Sequence, residues 1–371
     1  MRPRILSTIL ATALLAGQVS AQPEEPAPAA LPQARPAAVD ADFPFPTSPF
    51  QPDLTPEYVL IEGDIQIRVD QYMALMAGAD ATFGAVTYWF NGIVPYDFVT
   101  TGGGAVSQAN QNIAIQAMGM IAARAGITFR AATGSDVNRI RFQNSSFNNS
   151  PIGLQGGTQI INIVSWGTPI IICHEVYHSL GFWHEQSRAD RNTYVTINAN
   201  NICGSGISTP CTAGSGPTQC CLCIDNAGLC TSCAFNFNFQ PGTLTYGLYD
   251  FDSFMHYGPN AFSCNGLPTI AVNPPWTNTI GQRDHFSYFD EITCRGLYPF
   301  NTDRWLDRNH TGTIGATFLL PLNNPNILPV ASTIPPGATL FVKFGNTYSG
   351  VGTYTNPVTI IAPAGTVTIG N

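Results

Sequence analysis

His174-Glu175-Val176-Tyr177-His178-Ser179-Leu180-Gly181-Phe182-Trp183-His184 is the stretch on which the reading of this chain turns. On a helix, His174 and His178 stand at i and i+4 and point the same way, so two imidazoles converge on one cation. Glu175 is displaced round the helix, within reach of a water at that cation without being a ligand itself. Gly181 is free to take a positive φ and end the helix. The chain then turns, and His184 supplies a third nitrogen from another direction. Three neutral imidazoles suit Zn2+ and leave positions open for water and substrate. Each histidine alone would read as a satisfied structural residue; three at metal-ligand spacing reverse that. In such a site Glu175 takes a proton from water and passes it to the departing amine, help worth typically ~10²–10⁴ in rate. The reaction implied is peptide-bond hydrolysis without a covalent intermediate.

The extended pattern, with its glycine and third histidine, is that of the metzincins. His184-Glu185-Gln186-Ser187-Arg188-Ala189-Asp190-Arg191-Asn192-Thr193-Tyr194-Val195 closely resembles the astacin signature, and Ser253-Phe254-Met255-His256-Tyr257 resembles that family's Met-turn. Tyr88 to Tyr96 is similar to the start of the mature astacin domain. Ile280-Gly-Gln-Arg and Ser287 to Tyr298 are similar to its end. The resemblance implies an α+β, astacin-like metzincin fold: a mixed twisted sheet, two long helices and an active-site cleft between two subdomains. It makes Met255 the base of the zinc site. It makes Tyr257 a fifth zinc ligand at rest that swings away to hydrogen-bond the oxyanion, a recognised kind of stabilisation. It makes Glu185 the partner of a buried new N-terminus near Asp80 or Ala81. Ile61-Glu62-Gly63-Asp64 resembles the family's pro-segment motif, in which the aspartate ligates zinc and keeps the precursor silent. Asp64 takes that role here, with Gly63 permitting close backbone approach. The plain alternative for these residues is a turn in a short hairpin.

Outward from the motif, Ser107 caps a helix in which Ile113, Ala117, Met120 and Ile121 recur, with Gly126 as its stop. Strands are expected at Val86 to Phe90, Ile127 to Ala131, Arg139 to Gln143 and Thr158 to Val164, with a turn at Asn91-Gly92. Before this, Arg2 and Arg4 precede an apolar run that closes on Val19-Ser20-Ala21, the layout of a secretory signal peptide. Residues 22–56 carry ten prolines and form an extended linker. The expected organisation is a signal peptide over 1–21, a Pro-rich linker over 22–56 and an inhibitory pro-segment over 57–79. The catalytic domain follows over 80–300, and a β-rich segment covers 301–371. That last segment has strands at Thr339 to Phe344 and Val358 to Ile361, and faintly resembles a rung of a parallel β-helix. One rung cannot bury its own face, which predicts contact with the protease domain or another chain.

Ten cysteines in an exported chain point to disulfides. Seven fall within a Cys-rich insertion at 203–233; there Cys220-Cys221-x-Cys223 and Cys230-x-x-Cys233 also resemble zinc-ligand spacing. Beside the family resemblance, Cys173 and Cys294 are a candidate bridge between the catalytic helix and the last one. Charged residues are only 10 % of the chain and the net charge is −8, which argues against nucleic-acid or anionic-membrane binding. No later stretch reaches transmembrane length. Together these point to a secreted, latent zinc metalloendopeptidase holding one Zn2+ and acting on proteins or peptides. Two alternatives are a silent zinc-bearing adhesion or matrix protein and a zinc hydrolase of a non-peptide amide. The presence of Glu175 argues against the first.

Overall fold

The alternating residues from Tyr58 onward form a hairpin of β1 (Tyr58–Ile61) and β2 (Ile65–Arg68), antiparallel, with Ile61 opposite Ile65. Its turn needs left-handed backbone at Glu62 (φ 49) and Gly63 (φ 79). A Cβ on Gly63 would lie 2.6 Å from the Phe262 ring, so only glycine lets the turn approach so closely. The structure is a computed structural model. It describes residues 58–68, 87–202, 233–240, 247–263, 265–311, 321–343, 347–350, 357–362 and 367–369. The expected signal peptide and linker, the new N-terminus near Asp80 and nearly all of the Cys-rich insertion lie outside the described residues.

The strand expected at Val86 to Phe90 is not found in its described part. Thr87 to Trp89 run as irregular chain, because Trp89 buries its ring and its indole N–H donates to Ser179 O at 2.9 Å. A strand follows instead at β3 (Ile93–Phe98). Pro95 argues against a central strand, since it has no N–H for the ladder. It is tolerated because β3 meets one neighbour over its first half and gains the second only from Tyr96. Helix α1 (Gln108–Ala122) is capped by Ser107, whose Oγ accepts from Asn110 N. It ends before Gly126, and the reason for that glycine is packing: a Cβ there would collide with Pro299 O.

Next come β4 (Thr128–Ala131), β5 (Arg139–Asn144), β6 (Ser150–Pro151) and β7 (Thr158–Ile163). The sheet order is β4-β3-β5-β7, with parallel pairing throughout. The antiparallel element is the bridge between Asn149 and Asn162, which lays β6 along β7. On its other side β6 receives β2. Helix α2 (Pro169–Leu180) starts with proline in its first turn, where no N–H is missed, and ends at Gly181 with φ 105. Helices α1 and α2 pack with the sheet around the main core, which holds Met118, Phe142, Ile161, Val176 and Phe254.

A separate buried cluster includes Val195, Phe237, Tyr249, Tyr257 and Ile270. It contains the antiparallel pair β8 (Val195–Ile197) and β9 (Ile270–Val272). Helix α3 (Tyr288–Leu297) begins with a reciprocal cap between Ser287 and Asp290. Cys173 and Cys294 do not bridge: both are free and buried. The Cys173 thiol faces Ala117 O at 3.5 Å, whereas Cys294 hydrogen-bonds Tyr177, and burial pushes both thiols up to about 12. Cys233 is buried and disulfide-bonded.

The last strands are β10 (Arg304–Leu306), β11 (Thr339–Val342), β12 (Thr347–Tyr348), β13 (Thr359–Ile361) and β14 (Thr368–Ile369), with α4 (Ile327–Thr333) between β10 and β11. Pairing is parallel in both β10-β11-β13 and β12-β14. This segment has its own apolar cluster and is fastened to α3. Trp305, 1 % exposed, packs with Phe341 and Ile292, and its indole N–H donates to Gly296 O at 2.7 Å. The buried Asp303 carboxylate accepts two bonds from Arg295, at 2.7 and 2.8 Å, and a third from Thr339 N. No helix among the described residues is long and apolar enough to cross a membrane.

Candidate metal centre

Helix α2 carries His174, Glu175 and His178, all buried, and the left-handed turn at Gly181 brings His184 back beside them. The three Nε2 atoms converge: His174 lies 3.1 Å from His178 and 3.3 Å from His184. Their outer nitrogens are all engaged. Nδ1 of His174 meets Phe254 O at 2.9 Å, that of His178 meets Phe182 O at 2.7 Å, and that of His184 meets the Glu62 carboxylate at 2.7 Å. A carbonyl or carboxylate oxygen only accepts, so each Nδ1 carries the proton and each Nε2 turns a lone pair inward. Three lone pairs at this separation repel unless a cation sits among them.

The hairpin turn adds a carboxylate. Asp64 Oδ2 is 3.2 Å from His174 Nε2, and Oδ1 is 3.3 Å from His184 Nε2 and 3.7 Å from His178 Nε2. One ligand atom from each of these four residues falls within a 4.8 Å span. Asp64 Oδ1 and Glu175 Oε2 are buried with no hydrogen-bond partner. Three imidazole nitrogens and a carboxylate with one orphaned oxygen fit zinc, and Glu175 adds a second orphaned oxygen. Without a metal, the charges shift these groups in opposite directions. Burial raises Asp64, but the surrounding imidazoles outweigh it and hold the carboxyl well below its ordinary value. Burial lowers His174 to about 4 and holds His178 well below its ordinary value, keeping both neutral. Burial also lowers His184, but Asp64 and Glu62 outweigh it and bring that ring up to about 9, so without a metal its Nε2 holds a proton that zinc would displace. Burial and then the Asp64 charge push Glu175 well above the carboxylate range.

Tyr257 lies tilted against the His184 ring at 4.5 Å between centroids, and its hydroxyl donates to Glu62 O. Its backbone N–H is held by Gln186 Oε1 at 2.9 Å. Met255 is buried in the main core, and its carbonyl accepts from Glu185 N at 3.1 Å, which ties the Met-turn to the chain after His184. Phe254 is the ring that meets His174 edge-on. Glu185 accepts from Arg188 at 2.9 Å and Asp250 N at 2.8 Å, and burial brings its carboxyl up to about 8.

Four residues at the site escaped the sequence reading. Glu62 grips His184 and also accepts from Gln240. Gln186 holds Tyr257. Asp290 accepts from Ser253 Oγ, Phe254 N and Ser287 N, pinning the Met-turn to α3. Arg283 donates to His256 O and opposes the charge of Glu175 and Asp64. All four lay inside quoted stretches, but nothing local marked their targets. Gln240 had no signal at all.

The family model for astacin, a peptidase family, matches residues 82–208 and 232–299, more than half of the chain. Zinc metalloproteinase nas-15 of Caenorhabditis elegans is 32 % identical over 211 residues, covering 57 % of this chain and 32 % of that protein. Astacin-like metalloendopeptidase of Mus musculus is 34 % identical over 169 residues, covering 43 % and 31 %. The chain thus spans about a third of the length of these relatives. Among solved structures, high choriolytic enzyme 1, a hatching enzyme zinc-protease from Oryzias latipes, is 28 % identical, with 58 % of this chain and 94 % of that chain covered and a TM-score of 0.45.

Proposed function

Because the chain belongs to the astacin family, we propose that it is a secreted zinc-dependent endopeptidase held latent by its own β1–β2 hairpin. The observation that carries this reading is the convergence of three Nε2 lone pairs, with every Nδ1 committed to an acceptor behind it. His174, His178 and His184 would hold the metal, and Asp64 would join them in the precursor. Zinc bound there supplies Lewis-acid polarisation of a peptide carbonyl and a water acidified toward neutrality.

The chain's own residues do the rest. Glu175 removes a proton from the attacking water at its carboxylate and returns it to the leaving amine nitrogen. Asp64 and the hairpin backbone block both the histidine cluster and the β6 edge. Their departure frees Tyr257 from Glu62 O, so that its hydroxyl can donate to the developing oxyanion. In the opened enzyme Tyr257 is also the candidate fifth ligand, Met255 the floor beneath the site, and Glu185 the seat for a new N-terminus. The two separate buried clusters support a cleft between two subdomains. The domain order, a signal peptide over 1–21 through a β segment over 301–371, belongs to the same reading.

The test is a casein or gelatin assay on processed protein with and without a chelator, paired with Glu175→Gln. The variant should keep one zinc per chain and lose turnover. Cleavage at the wild-type rate by that variant would remove Glu175 as the base, and proteolysis that survives metal removal would defeat the whole reading.

A further inference from the structure

We infer that Asn149 forms a side-chain subsite that selects a carboxamide, glutamine or asparagine, in the peptide to be cut. This rests on the peptidase reading above, in which an extended substrate takes the place of the hairpin. That place is a strand edge. Ser150 N donates to Asp64 O at 2.8 Å and Ile152 N donates to Gln66 O at 2.9 Å, so β2 is seated on β6 as an added strand. A peptide that replaces β2 meets the same two donors, and one of its side chains enters the position Gln66 now holds.

The chemistry of that position is specific. Gln66 is 5 % exposed and its Nε2 donates to Asn149 Oδ1. Asn149 is fully buried, and the same Oδ1 also accepts from Asn162 Nδ2 at 2.7 Å. Asn162 Oδ1 in turn accepts from Gln143 Nε2 at 2.7 Å, and the backbones of residues 149 and 162 exchange both N–H···O bonds. This relay of amides holds the Asn149 side chain with its oxygen toward Gln66. Its Nδ2, the second half of the group, is buried without a partner. Once the hairpin leaves, Asn149 presents one acceptor and one donor side by side, which is the complement of a carboxamide. Leucine there would leave Nδ2 unpaired and Oδ1 with Asn162 alone. Glutamate would answer the donor but bring a charge against Oδ1. Buried polar groups left without partners are what make such a site selective.

The test digests a peptide library with processed, zinc-loaded protein, followed by matched fluorogenic peptides that differ at one residue. Glutamine and asparagine should be enriched at one position of the cut peptides. The kcat/KM for Gln over Leu at that position should be about tenfold, the size of two net hydrogen bonds. In Asn149→Ala that ratio should fall to near one. The ratio is internal to each variant, so a loss of folded protein cancels. As a second readout, the peptide Tyr58–Arg68 binding to processed Glu175→Gln protein should weaken about tenfold when its Gln66 is replaced by leucine. No carboxamide preference, or a ratio untouched by Asn149→Ala, overturns the subsite while leaving the peptidase intact. Equal binding of the two hairpin peptides also overturns it. Failure to cleave any peptide overturns the peptidase reading itself, and the subsite with it.

Discussion

Asp290 offers a measurable link between α3 and the candidate metal centre. Its carboxylate accepts from Ser253 Oγ at 2.6 Å, Phe254 N at 3.1 Å and Ser287 N at 3.0 Å, and all four residues are buried. Asp290→Ala strands three buried donors at about 1 kcal/mol or more each, a loss of about 3–4 kcal/mol. It also loosens Phe254, whose carbonyl fixes the His174 ring, so zinc should be held less tightly. Asp290→Asn should cost only about 1 kcal/mol, because an amide oxygen still accepts from the two backbone donors and its NH2 meets a Ser253 hydroxyl free to rotate.

The pair also reports a titration. Burial brings Asp290 from an ordinary 3.8 up to about 7, with the neighbouring Asp250 adding to the rise against the bonds from Ser253, Ser287 and Phe254. Between those values the unfolded chain has lost this proton and the folded chain still holds it. Unfolding then releases a proton, and stability falls as pH rises. From pH 5 to pH 8 the loss is about 2–3 kcal/mol. Asparagine does not titrate, so the margin of Asp290 over Asp290→Asn isolates the effect. Urea unfolding of zinc-loaded Glu175→Gln protein, which cannot digest itself, should show that margin shrinking by this amount. A margin that stays level or grows toward pH 8 would falsify the assignment and mean that the three donors keep the carboxylate ionised.

Four other outcomes are expected. Asp64→Ala should give a precursor that cleaves without processing, while Glu62→Ala should weaken its zinc about 10–100-fold by removing the acceptor behind His184. A competing chelator measures the second effect, and an unchanged affinity would show that Glu62 does not orient that ring. Trp305→Ala should cost about 3–5 kcal/mol and expose the segment after residue 303 to limited proteolysis; an unchanged digestion pattern would count against its anchoring on α3. Removing zinc should lower Tm, by an amount equal to about 4 kcal/mol at a thousandfold excess over Kd, and restored zinc should recover it. A melting curve indifferent to the metal would mean that the histidines do not hold it.

Much of the site was legible because helix geometry is local. His174 and His178 share a face whatever surrounds them, and Gly181 ends its helix through its own freedom, with φ 105. The strands near 128–131, 139–143 and 158–164 were readable for the same reason, as short alternating or apolar runs. Val86 to Phe90 misled because its composition suits a strand, while the fate of Trp89 was set by Ser179, far along the chain. Strand β3 was hidden by Pro95, harmless only because its second neighbour begins one residue later. What the residues alone determined was the set of candidate metal-binding nitrogens and the carboxylate beside them. Which way two of the imidazoles face was decided by acceptors from elsewhere: Phe254 for His174 and Glu62, 122 residues away, for His184. A ligand's spacing is written in the period of its own helix. Its tautomer and aim depend on distant groups that only packing brings within hydrogen-bond reach.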